Sequence, residues 1–273
     1  MFNAPRILAG LLLSILIGGL AYWRGSLTLS GWLGAVIVGT STFGFGGWTW
    51  GVTLIAFFVS SSALSHFRQA RKQAIAGEKF EKSGRRDLAQ TLANGGLGAG
   101  LALAYNLSGE PNLLLAAFVG LMATVTADTW ATELGVLSPH PPRLVTTARA
   151  VEPGTSGGIT AYGLMASAAG ALLIGGVATV LAAIERGAFW PWLLPAALLA
   201  GLAGSLADSL LGATVQVIYR APGGGETERQ FSPIGVANPR LRGWRWMNND
   251  LVNLLSSVAG ALVAAGIFWL IGD

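Results

Sequence analysis

The chain has 273 residues, of which 52% are hydrophobic and only 11% are charged, and its mean hydropathy is +0.58. Soluble globular domains average about 25% charged residues, so this composition excludes an ordinary soluble protein and indicates a chain that crosses the membrane several times. The absence of cysteine excludes a disulfide framework and a thiolate metal site. The net charge of +4 comes from basic residues in loops, which the positive-inside bias explains, and no nucleic-acid partner is predicted.

Eight apolar segments follow one another, each long enough for a hydrocarbon core about 30 Å thick. In chain order they cover Ile7 to Tyr22, Leu27 to about Phe43, Trp48 to Leu64, Leu88 to Leu107, Leu113 to Leu137, Gly158 to Ile184, about Pro191 to Val217, and about Asn249 to Ile271. The predicted fold is all-α, a polytopic membrane helix bundle of about eight transmembrane helices in a single domain over residues 1–273. A re-entrant or tilted arrangement of the first pair would give seven.

Three long polar loops, at about 66–87, 138–157 and 219–248, hold seven, two and five of the 17 Lys and Arg residues. With eight spans all three loops lie on one side, and their basic character predicts that this side is cytoplasmic. The loop arginines, including Arg240 and Arg242, are expected to orient the protein or to contact anionic lipid. Tryptophans near the span ends are expected to form an interfacial belt.

Carboxylates occur inside two of the apolar segments, Asp128 with Glu133 in the fifth and Asp208 in the seventh. A charged side chain at bilayer depth costs roughly 2.5 to 3.5 kcal/mol on insertion scales, so such an acid indicates a functional site. Polar residues follow helical spacing around these acids and recur in the fourth and last spans. The stripes are Asp87, Gln90, Asn94 and Gly98; Thr124, Asp128, Ala131 and Gly135; Ser205, Asp208, Gly212 and Gln216; and Asn249, Asn253, Ser256 and Gly260. By the predicted topology all four stripes meet at the cytoplasmic end.

Either loop arginines or a divalent cation could neutralise the two aspartates. Mg²⁺ takes oxygen ligands, usually one or two carboxylates with phosphates and waters, which Asp128 and Asp208 would supply from two helices. Glu133 lies about 140° further round the helix from Asp128, so it is a weaker candidate for the same ion.

Two further segments have the composition of phosphate-binding elements. Arg85 and Arg86 directly precede a helix start, where guanidinium groups and free backbone N–H groups favour an anion. The segment Gly154-Thr155-Ser156-Gly157 combines hydroxyls with glycines that let the backbone approach an anion, although a plain glycine-rich turn would look the same.

The motifs resemble a known family. These motifs are Gly84-Arg85-Arg86-Asp87 with Gln90 and Asn94, the Ala127 to Gly135 segment with Asp128, Thr129 and Glu133, Thr146-Thr147, the Pro153 to Gly158 segment, and the Gly204 to Ala213 segment with Ser205 and Asp208. In this order they are similar to the integral membrane family of transmembrane protein 19, long catalogued as a domain of unknown function, which includes plant and cyanobacterial phytyl-phosphate kinases. The resemblance implies a kinase that passes the γ-phosphate of a nucleoside triphosphate, CTP in those relatives, to phytyl phosphate or a related isoprenoid monophosphate in tocopherol or isoprenoid metabolism.

Combined with the residues, the resemblance gives a specific hypothesis. Asp128 and Asp208, with Glu133 as a possible further ligand, would hold Mg²⁺. Arg85 and Arg86 would neutralise phosphates, and the isoprenoid tail would lie in a groove between helices. The remaining predicted binding residues are Asp87, Gln90, Asn94, Thr129, Gly154, Thr155, Ser156, Gly157, Ser205, Gly212, Gln216, Asn249 and Asn253. The expected location is a prokaryotic plasma membrane or a thylakoid, and the alternative is an ion-coupled transporter that uses Asp128 and Asp208 as its ion site.

Overall fold

A computed structural model describes residues 3–80, 84–109, 111–187 and 189–271. In these ranges it contains nine helices: α1 (Ala4–Trp23), α2 (Leu29–Gly46), α3 (Trp48–His66), α4 (Gln69–Ala76), α5 (Leu88–Leu107), α6 (Asn112–Gly135), α7 (Ala161–Arg186), α8 (Leu193–Thr214) and α9 (Asn249–Ile271). The helical membrane bundle predicted from the sequence is confirmed, and each predicted span corresponds to one long helix.

Seven of the eight long helices in the described ranges are also apolar enough to cross a membrane. The exception is α5, which carries Gln90 and Asn94 on a glycine-rich helix. The first pair of predicted spans, which could have been re-entrant, forms two separate helices, α1 and α2.

Helix α6 lies at the centre of the bundle. Every residue from Leu115 to Ala127 is buried, because α6 packs against α3, α5, α7, α8 and α9. In a membrane bundle, helices associate through close packing of small residues rather than through a hydrophobic driving force. The small-residue stripes of this chain therefore have a packing role.

One close packing point joins α6, α8 and α9. Thr124 of α6 donates its hydroxyl to the carbonyl oxygens of Gly120 and Ala200, both at 3.0 Å. A Cβ on Gly204 of α8 or on Gly260 of α9 would overlap the Thr124 side chain. Three helices can cross this closely only because both facing positions are glycine.

This packing point positions the acids. Asp128 and Asp208 lie one helical turn beyond Thr124 and Gly204, and α9 runs in the opposite direction, so Ser256 lies one turn before Gly260. The three side chains therefore reach the same level of the bundle.

The basic loops are more ordered than the sequence indicated. Strand β1 (Arg143–Leu144) pairs with β2 (Gly158–Ile159), and β3 (Ile218–Arg220) pairs with β4 (Glu226–Thr227) and β5 (Arg240–Arg242). The loop predicted at 66–87 contains the short helix α4, and its residues 81–83 lie outside the described ranges, as does Glu110 in the predicted turn between the fourth and fifth spans.

The third loop holds the first loop in place. The Arg229 guanidinium donates to the carbonyl oxygens of Gly77 and Phe80, both at 2.9 Å, and the Thr227 hydroxyl donates to the carbonyl of Glu78 at 2.7 Å. The loops thus form a structured layer across one end of the bundle.

Candidate functional site

A cavity of about 300 Å³ lies where this loop layer meets the helix ends. Its wall is formed by α4, the first turns of α5 and α9, the last turns of α6 and α8, and the loop before α7. It contains fifteen of the predicted site residues: Arg86, Gln90, Asn94, Asp128, Thr129, Glu133, Gly154, Thr155, Ser156, Gly157, Ser205, Asp208, Gln216, Asn249 and Asn253. Members of all four polar stripes therefore line one cavity.

Asp128 and Asp208 approach each other from α6 and α8. Their charges interact, and Glu228 adds a further negative charge near Asp128. The hydroxyl of Ser256 donates to Asp208 Oδ2 at 3.0 Å. Within the described residues neither aspartate forms an ion pair. Since isolated buried carboxylates are costly, this arrangement suits a bound cation.

Several amides face the same space. Asn94 is only 8% exposed, and its side chain forms no hydrogen bond with any described residue. Gln90, Asn249 and Asn253 also line the cavity. Carboxylate and amide oxygens are the donor set that Mg²⁺ accepts, usually together with waters and substrate phosphates. The residues present therefore fit a hydrated magnesium ion.

The segment from Pro153 to Gly158 lines the same cavity as the two acids. Gly154 and Gly157 adopt φ values of +79° and +84°, which side chains with a Cβ rarely tolerate. The backbone N–H groups of Gly154, Ser156 and Gly157 donate to no described residue. Free N–H groups in such a turn form an anion-binding concavity.

Two contacts fix this glycine-rich turn. The Ser156 hydroxyl donates to Gln216 Oε1 at 2.6 Å, and Gln216 Nε2 donates to Glu228 Oε1 at 2.9 Å. Arg242 donates to the carbonyl oxygens of Gly212 and Ala213 at 2.8 and 3.1 Å, which closes the end of α8, and to that of Ser156 at 3.4 Å. The expectation that Arg242 only orients the protein or contacts lipid is therefore wrong, because its guanidinium ties the turn to α8.

The positive charges of the cavity lie on α4 and before α5. Burial lowers the pKa of Arg86 to about 10, while the nearby Glu133 carboxylate acts in the opposite direction, so Arg86 stays protonated at neutral pH. Its Nη1 donates to Ser62 Oγ at 3.1 Å. Lys72 is buried, and its ammonium contacts Glu133 and the carbonyl oxygens of Leu64 and Ser65.

Three predicted site residues lie outside the cavity lining. Arg85 is exposed and donates to the carbonyl of Leu27 at 3.2 Å. Asp87 is the N-cap of α5, since its Oδ1 accepts from the N–H of Gln90 at 2.9 Å. Gly212 lies behind the glycine-rich turn, where a Cβ would be 2.7 Å from Ser156 Oγ. These three residues support the site without facing it.

Glu133 also departs from its predicted role. It lines the cavity, but its carboxylate is paired with Lys72 and accepts from Ser65 Oγ at 2.6 Å. Within the described residues no three His, Cys, Asp or Glu side chains are grouped closely enough to hold a metal ion. Glu133 is therefore the partner of Lys72, and Asp128 and Asp208 are the two predicted ligands that form no ion pair with a described residue.

Sequence reasoning missed Lys72, Glu228 and the α4 residues Gln69 and Gln73, which also line the cavity. Nothing in the spacing of the 66–87 loop distinguishes Lys72 from its exposed basic neighbours. Only the fold of the first and third loops brings these side chains to the helix ends.

A polytopic helical bundle with two intramembrane acids, a glycine-rich turn and buried cations around one cavity defines an integral membrane protein with a polar site at one end. The chain belongs to the family described as integral membrane protein DUF92, whose model matches residues 12–261. This confirms the family recognised from the motifs.

Named relatives extend over most of the chain. This chain is 35% identical over 230 residues to Protein PGR of Arabidopsis thaliana, and the aligned region covers 77% of this chain and 79% of that protein. It is 30% identical over 238 residues to the uncharacterized membrane protein MJ0933 of Methanocaldococcus jannaschii, covering 87% and 84%. It is 25% identical over 242 residues to Protein VTE6, chloroplastic, of Arabidopsis thaliana, covering 87% and 64%. No solved structure matches the chain.

Proposed function

We propose that this protein is a prenyl-phosphate kinase, which transfers the γ-phosphate of a nucleoside triphosphate to an isoprenoid monophosphate at the membrane surface. The observation that carries the proposal is the composition of the large cavity. Two carboxylates that form no ion pair with a described residue share the cavity with a turn whose N–H groups donate to none of the described residues, and Arg86 and Lys72 lie on the α4 and α5 side. Phosphoryl transfer requires mainly positioning and positive charge around the moving group.

Asp128 and Asp208 would hold Mg²⁺ on the nucleotide. The ion would neutralise charge on the phosphates, and the Ser256 hydroxyl would keep the Asp208 carboxylate oriented toward it. Asn253, whose side chain also faces the cavity, would orient a water or a phosphate oxygen. One or two carboxylates with phosphate oxygens are a usual magnesium environment in kinases.

The glycine-rich turn would bind the triphosphate. Its free N–H groups supply donors with no side-chain entropy to lose, and the contacts of Ser156 with Gln216 and Arg242 keep them in place. Arg86 would bind the phosphate of the acceptor. An acceptor that is already an ionised phosphate needs no strong general base, which is consistent with a cavity lined by no histidine within the described residues.

The nature of the two substrates rests on the family. The resemblance to a family that includes phytyl-phosphate kinases supports CTP as donor and phytyl phosphate, or a related isoprenoid phosphate, as acceptor. The basic loops around the cavity support a cytoplasmic site in a prokaryotic plasma membrane, or the equivalent face of a thylakoid.

The direct test is a reconstituted assay. Purified protein in lipid vesicles would receive Mg²⁺, CTP, ATP, GTP or UTP with a radiolabelled γ-phosphate, and phytyl, geranylgeranyl or farnesyl phosphate. The expected result is a labelled prenyl diphosphate that disappears when EDTA removes the metal. The proposal fails if no combination of nucleotide and acceptor yields a diphosphate.

Variants test the metal assignment separately. Asp128→Asn and Asp208→Asn should each lower turnover about 100-fold or more, since losing even an outer-sphere partner of a metal costs about 10- to 100-fold. Glu152→Gln is the matched control, because Glu152 is exposed and pairs with Lys79 at 2.7 Å outside the cavity lining. Normal rates in both aspartate variants would refute the assignment even if the kinase activity were found. Nucleotide-independent ion flux through the vesicles that needs both aspartates would instead support the transporter alternative.

A further inference from the structure

A second, apolar cavity of about 80 Å³ lies between α1, α2, α3 and α5. Its walls include Leu13 and Ile17 of α1, Ala35 and Val38 of α2, and Leu54 of α3. Two residues, Arg86 and Asn94, belong to its lining and also to that of the large polar cavity. This second cavity, called the apolar groove below, therefore meets the polar cavity at the Arg86 guanidinium and the Asn94 amide.

The residues at the junction between the polar cavity and the apolar groove are suited to binding an anionic head group. The Arg86 guanidinium lies over the rings of Phe57 and Phe58, 5.6 and 5.7 Å from their centroids, and both rings line the groove. Asn94 is more than nine-tenths buried and has no hydrogen-bond partner among the described residues. A fixed cation and an unpaired amide at the end of an apolar groove match a molecule with one anionic head and one apolar chain.

We propose that this groove binds the part of the hydrocarbon chain next to the head group of an isoprenoid monophosphate, with the phosphate held at the junction by Arg86 and Asn94. This inference rests on the proposed function, because it assigns the acceptor subsite of the same site. It also divides the polar cavity, since the acceptor enters from the α1, α2 and α5 side and the nucleotide lies against α6, α8 and the glycine-rich turn.

The size of the apolar groove favours a lipid with a single hydrocarbon chain. Pockets that enclose a whole drug-sized ligand measure about 300–1,000 Å³, so a groove of about 80 Å³ holds only the first segment of a chain. The outer wall of the apolar groove is α1, a helix with few buried residues. The rest of the hydrocarbon chain can therefore continue past α1 into the bilayer. The groove is narrow because Gly39 packs on Ser14 and Gly95 packs on Val38. Two acyl chains on a glycerol backbone would not enter it.

Photocrosslinking tests the location without requiring turnover. Farnesyl monophosphate with a diazirine on its first isoprene unit would be irradiated with the protein in phosphatidylcholine vesicles, and the labelled peptides identified by mass spectrometry. We expect label on Leu13, Ala35, Leu54 and their groove neighbours, with competition by unlabelled farnesyl phosphate but not by farnesol or phosphatidic acid. Label confined to other faces of the bundle, or equal competition by phosphatidic acid, would overturn the inference.

A pair of variants on α2 tests the groove directly. Ala35→Phe fills the groove, whereas Ile37→Phe adds a ring at a position on the same helix that is 58% exposed and outside the lining. Ala35→Phe should weaken probe binding about tenfold, as expected when contact with about two methylenes is lost, and Ile37→Phe should leave it unchanged. Ile17→Phe fills the groove from α1 and replaces Ala35→Phe if that variant does not fold.

The outcomes separate this inference from the proposed function. Groove labelling that responds to the filling variants, in a protein that makes no diphosphate with any nucleotide, supports the lipid site and refutes the kinase. Diphosphate formation with unchanged acceptor KM in both groove-filling variants refutes the lipid site and leaves the kinase intact.

Discussion

The close packing of α6, α8 and α9 makes Gly260 the most informative position to change. A Cβ at Gly260 would overlap Thr124 Oγ1 and would lie 3.0 Å from the carbonyl oxygen of Gly120. Thr124 cannot simply rotate away, because its hydroxyl donates to the carbonyl oxygens of Gly120 and Ala200. In Gly260→Ala, either these hydrogen bonds break or α9 moves away from α6 by about 1–2 Å to restore normal contact.

The expected cost follows from these contacts. Overpacking a tight interface lowers the free energy of unfolding by about 1–3 kcal/mol. The higher helix propensity of alanine offsets at most about 1 kcal/mol of this loss. The matched control is Gly266→Ala on the same helix, where a Cβ meets nothing within 4 Å. Gly260→Ala should therefore melt below Gly266→Ala by several degrees, at about 2–4 °C per kcal/mol for a chain of this size.

Thermal unfolding of detergent-solubilised protein, followed at one scan rate by tryptophan fluorescence, measures the difference. Thr124→Ala combined with Gly260→Ala removes the overlapping oxygen and should recover part of the loss, which would appear as coupling between the two sites. Gly260→Ala should also lower turnover, because Ser256 lies one turn away and holds Asp208. Equal melting temperatures for Gly260→Ala and Gly266→Ala would refute the close packing of α9 against α6 at Gly260, and unchanged turnover in Gly260→Ala would refute the claim that this packing point positions the acids.

Three other predictions concern the contacts around the helix ends. Lys72→Met should lower the free energy of unfolding by about 1–3 kcal/mol, because the partly buried Glu133 carboxylate loses its lysine partner. Lys72→Met combined with Glu133→Leu should regain most of this loss in the same unfolding assay, and additive losses would contradict the pairing. Glu185→Gln should lower the free energy of unfolding by about 0.5–2 kcal/mol, because the Glu185 carboxylate accepts hydrogen bonds from the backbone N–H groups that begin α3. Faster hydrogen exchange confined to the first turn of α3 should accompany this loss. Gln216→Leu should raise the KM for the nucleotide more than that for the acceptor, because it releases Ser156 in the glycine-rich turn; an equal rise in both would argue against that turn as the triphosphate site.

Local patterns in the sequence predicted most of the architecture. The length and apolar character of each segment are properties of neighbouring residues, so all eight long helices were found, and α5 and α9 begin and end where predicted. Helical spacing similarly grouped the polar residues into stripes. Because successive membrane helices run in opposite directions, these stripes were expected at the same end of the bundle, where Asn94, Asp128, Asp208 and Asn253 line one cavity.

Roles that depend on long-range contacts were not accessible in this way. Arg85 and Arg86 are adjacent and chemically identical, yet one binds the backbone at Leu27 and the other faces the cavity. The difference arises because the backbone at Arg86 pairs with that of residues 26–28, more than fifty positions away. No spacing rule within the loop encodes that pairing.

The sequence by itself determined that this chain is a membrane helix bundle of the DUF92 family with two acids at one end, because hydropathy, periodicity and motifs are local properties. The tertiary structure alone decided that Lys72 neutralises Glu133, that Arg242 fixes the glycine-rich turn, and that Arg86 and Asn94 join a polar cavity to an apolar groove. These roles depend on which surfaces meet when three loops fold over the helix ends, and the contacts concerned join residues from distant parts of the chain.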